Sequence, residues 1–431
     1  MTKKDRIAIA ERWTTAMSSS GVKPLNALAE VLDEDVQMTN LVGRDAVLNW
    51  FKTYPGKPMF KTGTWQTPTV AGDVVTVPIL FHPKAAYHSA TVSLTIGPSG
   101  LITRAASIVL AAPDPLGTVI NRVWGPRVAT DRLPEHLASA YDVKVKTMKQ
   151  LDHGVFRVEL TKGGPWVVRV FPSDRPIGEV EGDAAVLRFL ESEDFPAERC
   201  VADVSVHEGQ GVLVTGFIKG PKPQPNTANQ RKLADLLGRL HAMKGAPKAV
   251  KREAGALHLY TVDCTVPSEI KTARASLQAA AFRSTDKAWE ALTAGLKSAH
   301  DFSSLPKALM HPDPGCVNAI SVSGTLVWID WAGAGFGPRI LGLGLLLVAC
   351  TAGKTFNREW VDAIMGAYTK HVTLEKAELE HLEDAINHRP LIHEAYSWGV
   401  GMATQRKPAS RKDWPHNNEG IAKMAEHIRA T

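Results

Sequence analysis

Long apolar stretches are missing from this sequence. The longest, Ile340 to Cys350, falls far short of the roughly 20 residues that span a bilayer, so no membrane passage is expected. Cysteine is scarce: Cys200, Cys264, Cys316 and Cys350 lie far apart, with no C-x-x-C pair and no histidine at zinc spacing. That excludes a disulfide-stapled scaffold and a cysteine zinc site, and leaves reduced thiols in a cytoplasmic protein as the expectation. Long runs of one charge are absent too. The 50 basic and 44 acidic residues, net +6, are dispersed along the chain, whereas a nucleic-acid binder clusters its lysines and arginines on one patch or tail. The opening MTKKDRIAIAERW lacks the apolar centre of a signal peptide.

What remains is a globular composition, 44% hydrophobic and 22% charged over 431 residues, which rules out collagenous, coiled-coil and wholly disordered chains. At about 100 to 200 residues per domain, that length predicts two to three domains. The first reads as α+β. Apolar positions Ile7, Ala8, Ile9, Trp13 and Met17 recur at helical spacing, and Lys23 to Leu32 continues as a second helix. Glu34 to Asn40 alternates as a strand, and Gly43-Arg44-Asp45 opens a third helix through Phe51. Four antiparallel strands follow at Lys61 to Thr67, Asp73 to Phe81, Ser89 to Ile96 and Ile102 to Val109, broken by turns such as Gly72-Asp73 and Gly97-Pro98-Ser99-Gly100.

This order of helices, strand, G-R-D-A-V and hairpins resembles the nuclear transport factor 2-like superfamily, the cone-shaped α+β barrel of SnoaL-like polyketide cyclases. The resemblance covers about residues 1–112. It implies a homodimer through the N-terminal domain as a candidate assembly, and a carboxylate or a His-Asp pair inside the cone where a member is active. The available groups are Asp33, Asp35, His82 and His88. The two aspartates flank Glu34 in a solvated corner, so no catalytic residue is assigned in this domain. Pro113, Pro115 and Gly117 mark a linker, 113–134.

The strongest signal is His311-Pro312-Asp313-Pro314-Gly315-Cys316-Val317-Asn318, followed by an apolar strand, Leu326 to Ile329, that ends in Asp330-Trp331. H-x-D-x-x-x-x-N and a strand closed by aspartate suit phosphoryl transfer to a hydroxyl: one Asp takes the incoming proton, while Asn and a second Asp hold a magnesium ion against the nucleotide phosphates. The arrangement resembles the aminoglycoside phosphotransferase and choline kinase family, whose text reads H-G-D-x-H-x-x-N and then I-D-W or I-D-F. On that resemblance Asp313 is the catalytic base, Asn318 and Asp330 are metal ligands, and residues 135–431 form a bilobal protein-kinase-like domain, with a small lobe and hinge at 135–220 and a mostly helical large lobe at 221–431. Upstream landmarks agree in order. Val155 to Leu160 and Pro165 to Phe171 read as strands, Glu179 to Glu191 as the E-R-E-A-A-V-L-like helix, Phe195-Pro196-Ala197 as the G-x-P-x-P turn, and Leu236 to His241 as the L-A-x-L-H helix. Val212 to Gly220 resembles the hinge, so Thr215, Gly216, Phe217 and Ile218 are expected to offer backbone partners to the adenine.

Three positions depart from the family. Arg169 stands for the phosphate-holding lysine, with Asp183 as its shortened helical partner and Glu179 and Glu181 nearby; Arg and Lys are not interchangeable there. Pro312 replaces the glycine of H-G-D, fixing φ and removing an amide donor. Gly342 stands where an aspartate normally braces the catalytic loop, which shifts that job elsewhere or loosens the loop. Cys316 reads as a packing residue and His311 as a structural hydrogen-bonding residue. Glu375, Glu378, Glu380, Glu383 and Asp384 form an acidic helix face, solvated or attractive to a cationic substrate. Trp398, Trp414 and His416 are pocket candidates, and Lys407 to Lys412 reads as a basic exposed loop.

The expected function is therefore transfer of the γ-phosphoryl of ATP or GTP, with Mg, to a hydroxyl of a small metabolite or antibiotic. The partners are that acceptor and the nucleotide, with neither nucleic acid nor membrane. Two alternatives stand beside it: a pseudokinase that binds or regulates without transfer, and a cyclase, dehydratase or isomerase acting through the cone.

Overall fold

The structure is a computed structural model. It describes the chain apart from residues 20–21, 39–40, 54–59, 62, 82–86, 112–129, 173–174, 249, 254–264, 280–286 and 405–417. Cys264, His82, Trp414, His416, the 407–412 loop and most of the expected linker lie outside the described residues. The chain divides into two compact units, one formed chiefly by Met1–Pro126 and the other chiefly by the chain from Arg127 onward.

The first unit opens with helix α1 (Lys3–Ser18), started by a capping box in which the Thr2 hydroxyl accepts the Asp5 N–H and the Asp5 carboxylate accepts the Thr2 N–H. Helices α2 (Val22–Ala29) and α3 (Arg44–Thr53) flank strands β1 (Leu32–Met38) and β2 (Leu41–Val42). Strands β3 (Thr64–Trp65), β4 (Thr69–Ala71), β5 (Val74–Leu80), β6 (Tyr87–Ile96) and β7 (Ile102–Ala111) follow. The sheet runs β2-β1-β7-β6-β5-β3, with β4 also on β5. Two expectations are corrected here. The strand expected over Lys61 to Thr67 is only the short Thr64–Trp65, with a further short strand at Thr69–Ala71 beyond it, and β1 joins β7 in parallel, so the sheet is mixed. Among the described residues the sheet has edges at β2 and β3 and does not close, so the expected barrel is an open sheet. Trp13, Met17, Phe51, Val75, Ile79, Val92 and Leu94 pack its interior. Asp33 and Asp35 stand on the outward part of β1, where the Asp33 carboxylate accepts the Asp35 N–H at 3.0 Å.

The second unit begins with α4 (Leu133–Tyr141), which covers one face of an antiparallel sheet of β8 (Val145–Asp152), β9 (Val155–Leu160), β10 (Trp166–Val170), β11 (Ser205–His207) and β12 (Gln210–Gly216), ordered β11-β12-β10-β9-β8. Period-two alternation sends Phe156, Val158, Val168, Val170, Val212 and Val214 toward Leu133 and Leu137 of α4. Val155, Arg157, Val167, Arg169, Leu213 and Thr215 are left for the opposite face, where register sets Arg169 against Leu213 and Val155. Helix α5 (Ile177–Ser192) approaches that face closely enough that a Cβ on Gly211 would lie 2.8 Å from Val180.

The helical part comprises α6 (Thr227–Ala242), α7 (Val266–Ala279), α8 (Lys287–Ser298), α9 (Arg339–Val348), α10 (Arg358–Tyr368), α11 (Lys376–Glu380), α12 (Leu382–Thr404) and α13 (Asn418–Ala430). Helix α12 carries Pro390 inside it. Between them lie the paired strands β13 (Lys307–Met310) and β16 (Gly335–Pro338), the hairpin β14 (Ala319–Val322) and β15 (Thr325–Trp328), and the short pair β17 (Thr351–Ala352) and β18 (Thr355–Phe356). Among the described residues no helix is long and apolar enough to cross a membrane.

Candidate active site

Two loops at the ends of these short strands carry the motif. One leaves β13 as His311–Gly315 and tightens into a 3₁₀ turn, Cys316–Asn318; the other leaves β15 as Ile329–Gly333. The loops are tied together by Ile329 N–H donating to Asn318 O at 2.9 Å and by the His311 ring. His311 is fully buried against the rings of Trp328 and Trp331. Its Nδ1 accepts the Asp313 N–H at 3.0 Å and its Nε2 meets Ile329 O at 3.0 Å. A carbonyl only accepts and an amide N–H only donates, so the ring is neutral with its proton on Nε2. Burial pushes it down to about 4, which keeps it neutral. His311 therefore shapes the loop.

That bond presents Asp313, whose side chain stays 40% exposed. The Asn318 amide Nδ2 donates to both the backbone O (3.1 Å) and Oδ2 (3.0 Å) of Asp313. A third grip comes from α12: Arg389 Nη1 donates to Pro312 O at 3.0 Å, and Nη2 lies 3.6 Å from Asp313 Oδ2. The proline that removed an amide donor before Asp313 thus offers its carbonyl to an arginine. At Gly342, the place of the missing aspartate, a Cβ would come within 3.0 Å of the His241 ring. That ring is buried, driven down to about 3 by burial, and bonded through Nδ1 to the Tyr368 hydroxyl at 2.9 Å. A neutral packing contact occupies the site of the charged brace.

Asp330 is 47% exposed in its side chain and adopts φ 70, a left-handed conformation that costs a non-glycine residue about 1–2 kcal/mol. Its Oδ1 lies 3.0 Å from Arg169 Nη1, and its N–H donates to Glu198 Oε1 at 2.7 Å. Arg169 also lies 3.5 Å from Glu198, whose Oε2 accepts the Thr215 hydroxyl at 2.9 Å. Burial disfavours the Arg169 charge, but Glu198 and Asp330 outweigh it and hold the guanidinium above its usual range.

The expected Arg169–Asp183 ion pair is corrected by this geometry. Asp183 is fully buried on α5 and pairs with Arg175 at 2.8 Å and with Arg252, while its Oδ1 accepts the Gly333 N–H at 2.7 Å. Glu179, a nearby substitute, pairs with Arg175. Arg252 continues the link by donating to Ala334 O at 2.7 Å and Glu179 O at 2.5 Å. One methylene shorter than glutamate, Asp183 is satisfied locally by two arginines and holds the far end of the loop that carries Asp330.

The hinge also differs in part. Gly216 N–H donates to Arg199 O at 3.0 Å and Phe217 N–H to Pro165 O at 2.9 Å, so these two amides serve the fold and not a base. Phe217 follows β12 with its ring under the Arg157 guanidinium at 4.2 Å. Of the acidic face, Glu378 is fully buried in an ion pair with Arg339 at 2.7 Å, whereas Glu380 and Asp384 lie outward. Cys316 has its thiol pushed up by burial, away from the nucleophilic thiolate. Trp398 is buried on α12.

Sequence reasoning missed Glu198, Arg252 and Arg389. Glu198 had a signal: it stands where the G-x-P-x-P turn has its second proline. Arg252 and Arg389 had none, since their partners are 69 to 82 positions away.

An antiparallel sheet over a helical lobe, with a D-x-x-x-x-N loop and a strand-ending aspartate at their junction, defines a kinase-like phosphoryl-transfer fold. The chain matches the sequence profile of the phosphotransferase enzyme family over residues 149–380, more than half its length, and belongs to that family. Among solved structures, amicoumacin kinase hAmiN in complex with AMP-PNP, Ca2+ and Ami is similar at 14% identity and TM-score 0.51, covering 70% of this chain and 94% of that one. An aminoglycoside phosphotransferase from Alicyclobacillus acidocaldarius (15% identity, 69% and 97% coverage, TM-score 0.46) and a choline kinase from Streptococcus pneumoniae (14%, 69% and 98%, 0.46) are also similar. No curated protein sequence matches the chain.

Proposed function

We propose that this protein transfers the γ-phosphoryl group of ATP, with Mg2+, to a hydroxyl of a small molecule. The observation that carries the reading is the convergence of Asp313, Asn318 and Asp330 on two loops cross-linked by His311 and Ile329. The acceptor hydroxyl attacks the γ-phosphorus as its proton passes to Asp313, and the bond to the β-phosphate oxygen breaks to leave ADP. Asn318 spends its amide nitrogen on Asp313, which turns its oxygen into the free donor. With the half-exposed carboxylate of Asp330, that makes a small set of hard oxygen ligands, which suits Mg2+ because this ion keeps waters and phosphate oxygens for its other positions. Mg2+ would neutralise charge on the transferring group. The likeness in fold to a kinase holding AMP-PNP and Ca2+ favours ATP as donor. With the Gly216 and Phe217 amides engaged, base recognition falls to Ile218.

A second reading, nucleotide binding without transfer, draws on Arg169, which Glu198 and Asp330 hold between them. For the first unit, three helices flanking a mostly antiparallel sheet support a SnoaL-like origin, and its packed interior supports a role in assembly over one in catalysis. Light scattering on the full chain tests the homodimer this implies.

The deciding experiment compares wild type with Asp313→Asn for thermal stabilisation by Mg-ATP and for slow ATP hydrolysis. Stabilisation retained with hydrolysis lost supports transfer through Asp313. Near-normal hydrolysis in the variant removes Asp313 from the role of base, and stabilisation of wild type without any hydrolysis favours binding alone.

A further inference from the structure

We infer that Glu198 is a positioning residue of the phosphoryl-transfer site: it orients the metal ligand Asp330 and takes over, from a turn, the counter-ion role that the resembled family gives to a helical carboxylate. The inference rests on the phosphotransferase reading above.

Glu198 is only 2% exposed, and a carboxylate at that depth persists only when its lone pairs are filled. Here they are filled by the site itself. Oε1 accepts the N–H groups of Asp330 at 2.7 Å and Trp331 at 3.4 Å, Oε2 accepts the Thr215 hydroxyl at 2.9 Å, and Arg169 lies 3.5 Å away. Two successive backbone amides converging on one oxygen hold Asp330 at its positive φ, which sets its Cα–Cβ direction, and Arg169 at 3.0 Å from Oδ1 orients the carboxylate. The backbone of Glu198 grips the same segment. Its N–H donates to Trp328 O at 2.9 Å, and Trp328 N–H donates to Pro196 O at 3.0 Å. A proline at this position supplies neither that N–H nor the carboxylate.

The division of labour with Asp183 follows. Asp183 holds Gly333, at the end of the loop, and is saturated by Arg175 and Arg252. Glu198 holds the start of the loop at Asp330 and faces the cation at position 169. The lysine-to-helix pair of the family is thereby rebuilt as an Arg169–Glu198–Asp330 chain that links β10, the 195–198 turn and the metal-ligand loop.

The test uses the full chain and reads Mg2+ dependence. ATP binding is titrated calorimetrically against Mg2+, and separately with EDTA present, for wild type, Glu198→Gln, Thr215→Val and Asp330→Asn. Glu198→Gln is expected to raise the half-saturating Mg2+ concentration about 10-fold or more, in the range for residues behind a metal ligand, while metal-free ATP binding stays within about twofold of wild type. Thr215→Val removes one bond to Glu198 and is expected to raise it about threefold in a protein that keeps its fold. A residue that only supports the fold would lower the melting temperature and leave the Mg2+ midpoint of the folded fraction unmoved. An unmoved midpoint in Glu198→Gln, with a metal response in wild type that Asp330→Asn abolishes, overturns the inference and leaves the phosphotransferase reading standing. If Glu198→Gln fails to fold, Thr215→Val decides by the same criterion. A wild type with no Mg2+ response overturns both.

Discussion

Asp183→Asn isolates charge from shape at a fully buried carboxylate of the second unit. The wild-type side chain is fully buried between Arg175, itself buried, and Arg252, with Gly333 N–H on the same Oδ1. Asparagine keeps an oxygen for Gly333, so that bond of about 1 kcal/mol survives. What disappears is the negative charge shared by two guanidinium groups, of which Arg175 keeps Glu179 at 3.3 Å, and removing one partner of a buried ion pair costs about 3–5 kcal/mol. Arg252 has a side chain 22% exposed and regains some water, which places the expected loss near the lower end, about 3 kcal/mol. With a urea m-value of about 3 kcal/mol/M for a unit of this size, the unfolding midpoint should fall by about 1 M with m unchanged. Because the chain has two compact units, the transition should be followed by hydrogen exchange of peptides within Ile177–Ser192, which report on the second unit alone. Adding Arg252→Met should recover part of the loss, since the stranded cation is then gone. A midpoint shift below about 0.3 M, or no coupling between the two substitutions, would refute the claim that Asp183 is a buried counter-ion and not a replaceable packing residue.

Arg389→Ala should lower ATP hydrolysis by about 10- to 100-fold at unchanged Mg-ATP affinity, because the grip on Pro312 and Asp313 affects the base and not the nucleotide; an equal loss of affinity would place Arg389 elsewhere in the site. Gly344→Ala should destabilise by about 1–3 kcal/mol, since its Cβ would lie 2.5 Å from the backbone oxygen of Ala385. Gly366→Ala, with open space around it on α10, should stabilise by about 0.5–1 kcal/mol, and denaturation midpoints that fail to split in these directions count against the helix packing. His311 binds a proton in the unfolded chain near 6.5 and in the fold only near 4. Its contribution is therefore complete above about pH 6.5 and lost as pH falls toward 4, about 2 kcal/mol between pH 7 and 5. His311→Gln should flatten that slope in pH-dependent urea unfolding.

The second unit was legible because its signals are local. Alternation in Val155–Leu160 and Trp166–Val170 sets the sheet face, and the spacing of Asp313, Asn318 and Asp330 survives as one pair of loops because a hairpin, β14–β15, is all that separates them. The first unit was legible as elements and less so as a sheet, since the parallel pairing of β1 with β7 joins segments about 70 residues apart and nothing in either strand announces its partner.

The ion-pair wiring around Arg169 was not legible, and the reason is specific. Family spacing predicts which helix supplies a carboxylate but not whether that carboxylate is already committed. Asp183 is committed because Arg175 lies eight residues before it, just ahead of the start of α5, and Arg252 arrives from 69 residues downstream. Once two cations saturate Asp183, a buried Arg169 must find its counter-charge elsewhere or be left unpaired at prohibitive cost. The turn after α5 is the element that backs onto both β12 and β15, so a glutamate there can reach Arg169, Thr215 and Asp330 together. Glu198 and Arg169 are therefore intelligible only together: the buried guanidinium takes its counter-charge from this turn, and the buried carboxylate takes its cation from β10.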